Sequence, residues 1–564
     1  MPLHSTQQKS AVSEITPGAK KLFRALYLAK NPREETNENI PKIQVSDMIS
    51  KISFYYEKIR NAVHYTEEHL LRKDAIFRIL KRQLVIEGSL RLVKPNDTKL
   101  IAEHLLTELI RAGYLPNNTL PETMTEEVSI LIQKYVALKK IFLSDSTGRF
   151  NFFSAKNSYN TLDSRSDLTN WLLGLAASEI EEKVEPDQVV KTVTTVMFKL
   201  LEKRVELPVS LPYERDLPIQ LYLAISRVFG RLDEDMLSLV LMRYFNEEWD
   251  EPSPTELKKI AKNLATMKKA VDDQLEHPLS AQLKRVVSSY TVYFRILEDV
   301  AREDPVAVYD ALAADPASFA HLVRKACNKR YTQAKRKLWR AAVRSIIYIL
   351  LTKSVFVVLL EVPATEFFGQ HTNALSLLIN IAFPAALLFF AIAITRLPGK
   401  ENTDRILAGI EEIVFMKKRK QEPITLRKPV GRHPVINVIF GLIYTVTFFI
   451  TFGGVIWILD SIQFSWVSII IFVFFLAFVS FFIIRIRRTA KEWIVVPPKE
   501  NFIRFLVDFF SVPVVATGKW LSGKFARLNV FAFILDFIIE APLKILIEVA
   551  EQWTKYVRER KDEL

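Results

Sequence analysis

The sequence predicts an all-α integral membrane protein with a large cytoplasmic helical domain, four transmembrane helices forming two hairpins, and C-terminal amphipathic interfacial helices. Three observations predict this fold class. Long uncharged apolar runs begin only after residue 344, apolar residues before that point recur at helical spacing, and Lys and Arg concentrate in alternate connections between the apolar runs. With 564 residues and 49% hydrophobic side chains, the chain is long enough for two or three folded domains.

The composition narrows the possible functional classes. The formal net charge of +14 fits contact with nucleic acid, contact with anionic lipid, or the basic inner loops of a membrane protein. The position of the basic residues along the chain decides between these three interpretations. Cys327 is the single cysteine, which excludes an intrachain disulfide and a cysteine-based zinc site. Residues 1–21 contain no apolar segment of the kind that a secretory signal needs. We therefore expect the N-terminal half to stay in the cytoplasm.

The cytoplasmic part is predicted to form two helical subdomains. Weak apolar periodicity over 1–40 indicates a partly disordered tail, and the helical spacing that follows indicates a helical cytoplasmic subdomain over 41–155. Within it, two aromatic-rich runs flank Ser-Thr-Gly at 140–155 and predict a β-hairpin. The polar stretch 156–167 is interpreted as a linker, after which 168–343 forms the second helical subdomain.

Four apolar runs are long enough to cross a bilayer, because about 20 helical residues reach roughly 30 Å. Two of them are separated by a turn of only a few residues, and the other two contain Lys353 and Pro384. The predicted spans are Ser345–Val362, Ala374–Thr395, Val435–Leu459 and Phe464–Ile484. They define transmembrane hairpin 1 (344–395), a basic cytoplasmic loop (396–433) and transmembrane hairpin 2 (434–485). A helix from about Pro316 is predicted to run without interruption into the first span.

Lys and Arg residues near the spans predict their orientation, since cytoplasmic flanks are enriched in them. The stretch 324–344 before the first span is strongly basic, as are the loop 396–433 and the residues from Arg485 onward. The connections 363–373 and 460–463 contain neither Lys nor Arg. This pattern fits four spans with both termini in the cytoplasm, and it does not distinguish a bacterial inner membrane from a eukaryotic internal membrane.

The region 486–564 is predicted to lie on the membrane surface. The apolar segment Leu528–Val557 carries charged residues every four positions, which wind slowly along one helix face: Asp536, Glu540, Lys544 and Glu548. Basic residues on both sides favour an interfacial helix whose stripe faces water. The alternative is a helix packed into the bundle, where Asp536 or Glu540 meets Lys353. Phe502–Thr517 is likewise interpreted as interfacial rather than spanning.

The chain ends in Lys561-Asp562-Glu563-Leu564, a tetrapeptide that a lumenal receptor reads as an endoplasmic reticulum retrieval signal. The receptor acts only in the lumen, whereas the predicted topology places these residues in the cytoplasm. We therefore interpret the C-terminal KDEL as the tail of a charged helix and not as a functional signal.

GKWLSGKF (518–525) comes within one residue of the phosphate-binding pattern Gly-x4-Gly-Lys-Ser/Thr. Phe525 stands where the pattern requires a hydroxyl, and no alternation of strands and helices surrounds the segment. We interpret it as a basic juxtamembrane turn at the lipid surface.

Ionisable residues within the spans are the first functional candidates. Lys353 lies in the middle of the first span, where an ammonium costs at least about 2.5–3.5 kcal/mol and usually faces a partner or water. Glu361 is the one carboxylate within the predicted spans, about 12 Å farther along the helix axis. Lys353 is interpreted either as part of a substrate or ion pathway, or as a structural residue that snorkels or forms a salt bridge. No catalytic, cofactor-binding or metal-ligating residue is assigned.

The leading functional hypothesis is a membrane-anchored scaffold whose cytoplasmic domain binds a protein partner or organises the inner leaflet. It depends on the size of that domain and on the absence of catalytic motifs, which also argues against an enzyme. The alternative is a transporter or channel subunit that uses Lys353 and the acidic stripe 536–548, and that forms a homo-oligomer because four spans are few for a pore. The stretch 324–344 is expected to contact anionic inner-leaflet lipid and not nucleic acid.

Overall fold

The computed structural model describes most of the chain. The described residues are 15–31, 41–45, 54, 57–58, 67–87, 97–148, 158–208, 211–314, 316–369, 374–395, 397–416, 422–428, 434–496, 502–527 and 553. Across these ranges nearly all regular structure is helical, and the strands that occur there have two residues each. The all-α fold class is therefore confirmed. The predicted stripe at 536–548 and the terminal tetrapeptide lie outside the described residues.

The described residues form two compact units. The N-terminal unit takes most of its residues from Pro17–Thr291 and Gln421–Lys428, and the C-terminal unit takes its residues from Met1–Thr16, Val292–Lys420 and Pro429–Phe533.

The N-terminal unit is built from short and medium helices. In chain order its elements are α1 Pro17–Lys30, α2 Glu68–Lys81 with a π-helical continuation Arg82–Glu87, α3 Thr98–Arg111, α4 Thr123–Gly148, α5 Ser158–Val184, α6 Gln188–Glu202, β1 Val205–Glu206, α7 Leu217–Val228, α8 Glu234–Phe245, α9 Pro254–Lys262 and α10 Leu264–Leu275. The strand β1 pairs in parallel with β2, Ile424–Thr425.

The core of this unit surrounds α5, which contacts α2, α4 and α8. The middle of α5 is buried on all sides: Leu172, Ala176 and Ile180 lie in the apolar core, and the polar residues Glu179 and Glu181 are buried as well. Two buried ion pairs join α5 to its neighbours. Lys134 Nζ on α4 donates to Glu179 Oε1 at 2.6 Å, and Arg72 on α2 donates to Glu181 Oε1 at 2.8 Å.

Burial has a larger effect on Glu181 than its arginine partner does. The side chains of Glu181 and Arg72 are only 7% and 8% exposed. Loss of hydration disfavours the carboxylate, and this outweighs the hydrogen bond and charge of Arg72, so the pKa of Glu181 rises to about 7.

The structure corrects two sequence predictions for the N-terminal part and adds a helix to the predicted tail. The tail 1–40 contains helix α1, because Ala19, Leu22, Phe23 and Leu26 form a short buried stripe and Pro17 is suited to the first helical turn. The predicted hairpin at 140–155 does not form over its first half, where α4 continues to Gly148 and packs Ile141 and Phe142 against the core; its second half lies outside the described residues.

The second of these predictions is the linker 156–167. Helix α5 begins at Ser158, so most of the predicted linker is helical. The stretch is polar but contains neither Pro nor Gly after Ser158, and nothing in it interrupts a helix. This stretch forms the first turns of α5, in which Leu168 is the first residue described as buried.

The chain continues through helices that belong mainly to the C-terminal unit. They are α11 Ser280–Glu303, which contributes residues to both units, α12 Pro305–Ala314, α13 Pro316–Phe356, a π-helical segment Val357–Glu361, α14 Val362–Phe367, α15 Ala374–Ala393, α16 Lys400–Val414, α17 Pro434–Ser461, α18 Trp466–Lys491 and α19 Phe502–Arg527. The prediction of a continuous helix from about Pro316 into the first span is confirmed, since α13, the π-helical segment and α14 follow each other without a break. Helix α16 lies within the basic loop.

Five helices in the described residues are long and apolar enough to cross a membrane, which indicates an integral membrane protein. Four of them, the α13–α14 helix, α15, α17 and α18, coincide with the predicted spans. The fifth is Phe505–Gly523 within α19, a segment for which the sequence predicts an interfacial position. Its mean hydropathy of 1.2 is the lowest of the five, because it includes polar and charged residues such as Asp508 and Lys519.

Helix α18 lies at the centre of the C-terminal unit. On one side it contacts α13 and α15, and these two helices also contact each other. It also contacts α17 and α19, which form a second pair in mutual contact. This position agrees with its mean hydropathy of 3.1, the highest of the five, because a helix covered on several sides by other apolar helices has no need of a polar face. Apolar side chains of α17, such as Val438 and Phe449, are exposed, as expected for a lipid-facing helix.

Candidate functional site

The two ionisable residues that the sequence places in the first span are both fully buried. Lys353 on α13 and Glu361 at the end of the π-helical segment each have 0% exposure. Long intramembrane side chains near a helix end commonly snorkel to the interface, which would leave their charged atoms accessible. Lys353 does not do so, and the interpretation as a snorkelling lysine is therefore wrong.

The π-helical segment decides how these two side chains are oriented. The Val362 N–H donates to the Val357 carbonyl, five residues earlier, and the turn is wider than an α-helical one. The cause lies in the sequence, because Pro363 has no N–H and its ring would clash with the carbonyl four residues before it. The wider turn accommodates this proline without ending the helix.

The wide turn also changes the direction of Glu361. Eight α-helical steps of about 100° would turn Glu361 about 80° away from Lys353. A π-turn contains one extra residue, so the rotation corresponds to about seven α-helical steps and leaves the two side chains about 20° apart. Both residues consequently face the interior of the bundle, in agreement with their complete burial.

Lys353 faces an aromatic ring. Its Nζ lies 4.1 Å from the ring centroid of Phe475 on α18 and has no hydrogen-bond partner among the described residues. Phe475 is held in place by an edge contact with Phe356, whose ring centroid is 5.5 Å away. One turn before Lys353, Ile349 belongs to a buried apolar cluster with residues of α15 and α18. An ammonium over an aromatic face gains about 2 kcal/mol or more when it is desolvated, which offsets part of its burial cost.

Glu361 contacts a polar residue of the next span. Asn380 Nδ2 on α15 donates to Glu361 Oε1 at 2.5 Å, and Asn380 is also 0% exposed. Two further polar residues are buried. Ser376 lies one helical turn before Asn380 on α15, and Thr365 lies one turn after Glu361, on α14. The Thr365 hydroxyl donates to backbone carbonyls of Glu361 and Val362. We call Lys353, Glu361, Thr365, Ser376 and Asn380 the polar cluster.

Three buried atoms of the polar cluster lack a hydrogen-bond partner within the described part of the chain. They are Lys353 Nζ, Glu361 Oε2 and Asn380 Oδ1. Each unsatisfied buried polar group costs about 1–3 kcal/mol, and more if it is charged. The cluster is therefore energetically unfavourable as a purely structural element.

Asn380 and Phe475 are residues that the sequence analysis did not single out. A signal for Asn380 exists, since Ser376 and Asn380 are four residues apart and therefore share one face of an apolar span, and Pro384 continues that face. No comparable signal exists for Phe475, because the apolar span around it contains many phenylalanines. The stripe residues Asp536, Glu540, Lys544 and Glu548 lie outside the described residues, and their predicted meeting with Lys353 stays a prediction.

The segment that resembles a phosphate-binding loop is helical. Gly518 and Gly523 lie within α19, so the interpretation of 518–525 as a turn is wrong for its described backbone. Gly518 is required by close packing, because a Cβ at this position would lie 2.0 Å from the Ala477 carbonyl oxygen on α18. Among the described residues, no group of three His, Cys, Asp or Glu side chains is arranged to hold a metal ion.

The chain was compared with protein-family models, with curated proteins and with solved structures. No family model, no curated protein and no solved structure matches it.

Proposed function

We propose that this chain is a subunit of an oligomeric transporter or channel in which the polar cluster binds the translocated ion or solute. The observation that carries the proposal is the burial of three unpartnered polar atoms, one each on Lys353, Glu361 and Asn380. Ionisable residues at membrane depth are costly and usually line ion or substrate paths. A bundle that served only as an anchor would be more stable with apolar residues at these positions.

The number of spans supports an assembly of several copies. Four or five helices per chain are few to enclose a path, and α18 already occupies the centre of the bundle. We propose that copies of this chain associate through the exposed apolar faces of their spans. In the proposed topology both termini are cytoplasmic, and the stretch 324–344 contacts anionic inner-leaflet lipid.

Reporters that function on only one side of the membrane test this topology. One is inserted at Gln370 and the other is fused after Leu564. With four spans, the first reporter is active on the outer side and the second on the cytoplasmic side. If both are active on the outer side, α19 or a later segment crosses as well, and the proposed topology is wrong.

A membrane-anchored interaction domain is the second candidate function. The observation that favours it is an exposed aromatic pair on α8 in the N-terminal unit, Tyr244 and Phe245, which are 55% and 40% exposed. Exposed aromatic residues are enriched in protein interfaces. An anchor and a transporter differ in one measurable consequence, because an anchor has no need of Lys353 and Glu361 as ionisable groups.

Electrical recording from purified protein in liposomes tests translocation. Vesicles on a solid-supported membrane receive concentration jumps of H⁺, Na⁺, K⁺ or Cl⁻ in separate experiments. We expect at least one jump to evoke a current in the wild type and at least about a ten-fold smaller current in Glu361→Gln and Lys353→Leu, which corresponds to a loss of about 1.4 kcal/mol or more.

Matched controls make the same chemical changes at exposed positions of the same continuous helix. They are Glu366→Gln and Lys325→Leu, whose side chains are exposed. The controls are expected to keep the wild-type current. Absence of current for all four ions in folded wild-type protein, or full current in Glu361→Gln, would contradict translocation and favour the anchor.

A further inference from the structure

The pair Glu361 and Asn380 has an unusual distribution of donors and acceptors. The amide group of Asn380 has donor hydrogens on Nδ2 and an acceptor on Oδ1, whereas an ionised carboxylate only accepts. Nδ2 already donates to Glu361 Oε1. Within the described part of the chain, Oε2 and Oδ1 remain unpartnered, two acceptors with no donor between them.

A single proton would complete this pair. If Oε2 carries a proton, it becomes a donor, and an acid and an amide can then form two parallel hydrogen bonds, N–H to Oε1 and O–H to Oδ1. Both orphan oxygens would be satisfied at once. Complete burial makes this arrangement more favourable, because a neutral carboxylic acid loses far less hydration on burial than a carboxylate does.

Among the described residues, no charge near Glu361 provides another explanation for the two orphan acceptors. The neighbouring segments are α13, α14 and α18, and α15 contributes Asn380. Lys353 is the nearest charge on α13, Glu366 on α14 is exposed, and α15 has no ionisable residue. The basic residues of α18 begin only at Arg485, ten residues beyond Phe475. Lys353 Nζ has no hydrogen-bond partner, so it does not occupy Oε2.

We propose that Glu361 is a proton-binding site, that Asn380 positions its carboxyl group, and that the proton is the ion handled by the polar cluster. The identity of the translocated ion rests on the proposed function, whereas proton binding does not. Uptake of the proton converts carboxylate and hydronium into carboxylic acid and water, and release reverses this step. Uptake of this proton changes the charge of the polar cluster by one, while Lys353 Nζ remains over the ring of Phe475.

A metal cation fits the cluster less well. Hard cations such as Ca²⁺ and Mg²⁺ require about six or more oxygen ligands, counting waters. The described cluster offers two unpartnered oxygens, and the hydroxyl of Thr365 is engaged with backbone carbonyls. The ammonium of Lys353 in the same bundle would oppose a second cation by charge repulsion.

Infrared spectroscopy of the full-length protein in lipid nanodiscs tests proton binding without any transport assay. We expect a carbonyl band of a protonated carboxylic acid at pH 7 that is absent from Glu361→Gln and retained in Glu366→Gln. All proteins in this experiment carry Glu181→Gln, because Glu181 also holds a proton up to about pH 7 and would contribute a band of its own. Labelling of glutamate with ¹³C should then shift the remaining band of the protein that retains Glu361, which keeps the test valid if Glu361→Gln folds poorly. In Asn380→Leu the band should move to higher frequency, since the carbonyl loses its amide hydrogen bond; a merely structural role of Asn380 would not move it.

Together with the vesicle currents, the band separates failure of this inference from failure of the proposed function. A band that Glu361→Gln removes, together with a proton-driven current, supports both. The same band without current for any ion supports the proton site and contradicts translocation. Absence of the band between pH 5 and 9, with a Na⁺-driven current that Glu361→Gln abolishes, overturns the proton site and leaves translocation intact. Absence of both band and current overturns both.

Discussion

A single added methyl group should separate helix α19 from α18. A Cβ on Gly518 would lie 2.0 Å from the Ala477 carbonyl oxygen and 2.8 Å from Phe481 Cβ. Real Cβ atoms essentially never approach another heavy atom closer than 3.0 Å, so Gly518→Ala requires a displacement of about 1 Å or more. The first obstacle is backbone, which cannot move aside as the end of a flexible side chain can.

Gly523 provides a matched control in the same helix. A Cβ added at Gly523 meets no atom of the described residues within 4 Å. Both substitutions gain the same helix propensity, up to about 1 kcal/mol, so this gain cancels when the two variants are compared. The remaining difference is the overpacking term at Gly518, which we place at about 1–3 kcal/mol.

This difference is measured by thermal unfolding in detergent micelles. The protein is heated, and size-exclusion chromatography then determines the fraction that remains folded. We expect Gly518→Ala to unfold several degrees below Gly523→Ala, which in turn should be at least as stable as the wild type. Equal unfolding temperatures for the two variants would refute the reasoning, because they would mean that α19 does not pack against α18 through Gly518. The experiment therefore tests the docking of the fifth candidate span directly.

Two further predictions concern residues outside the polar cluster. Cys327 has 0% exposure, so a maleimide at pH 7.5 should not label the native protein. The variant Asp404→Cys should be labelled at once, because the wild-type side chain at this position is 65% exposed. Equal labelling rates for the two thiols would show that α13 is not packed as described. Glu181 binds a proton up to about pH 7 in the folded state but only up to about pH 4.5 in the unfolded state. Its contribution to the free energy of unfolding should therefore fall by at most about 3 kcal/mol as the pH rises from 4.5 to 7. Chemical denaturation should show this loss in the wild type and not in Glu181→Gln, and parallel pH profiles for the two proteins would contradict it.

Local patterns in the sequence predicted the helices where one strong property dominated. The apolar helices α15, α17 and α18 begin within about two residues of the predicted spans, because about 20 consecutive apolar residues have few alternatives to a membrane helix. Weaker patterns did not predict the structure where tertiary packing determines whether a segment is helical. The four buried residues of α1 occupy little more than two turns, and the polar start of α5 has the composition of a linker. For α1, contact with α6, and not local composition, stabilises the helix.

For the functional candidates, the sequence by itself determined which residues are costly in a membrane. Lys353 and Glu361 stand out because a charge in an apolar span has no favourable environment there unless the fold supplies one. The sequence also contains the cause of the π-turn, Pro363. Only the tertiary structure decided that this turn directs both side chains inward, that Asn380 meets Glu361, and that Phe475 covers Lys353. The reason is that one extra residue in a helical turn rotates everything after it by about 100°, and contacts between residues on different helices depend on that rotation.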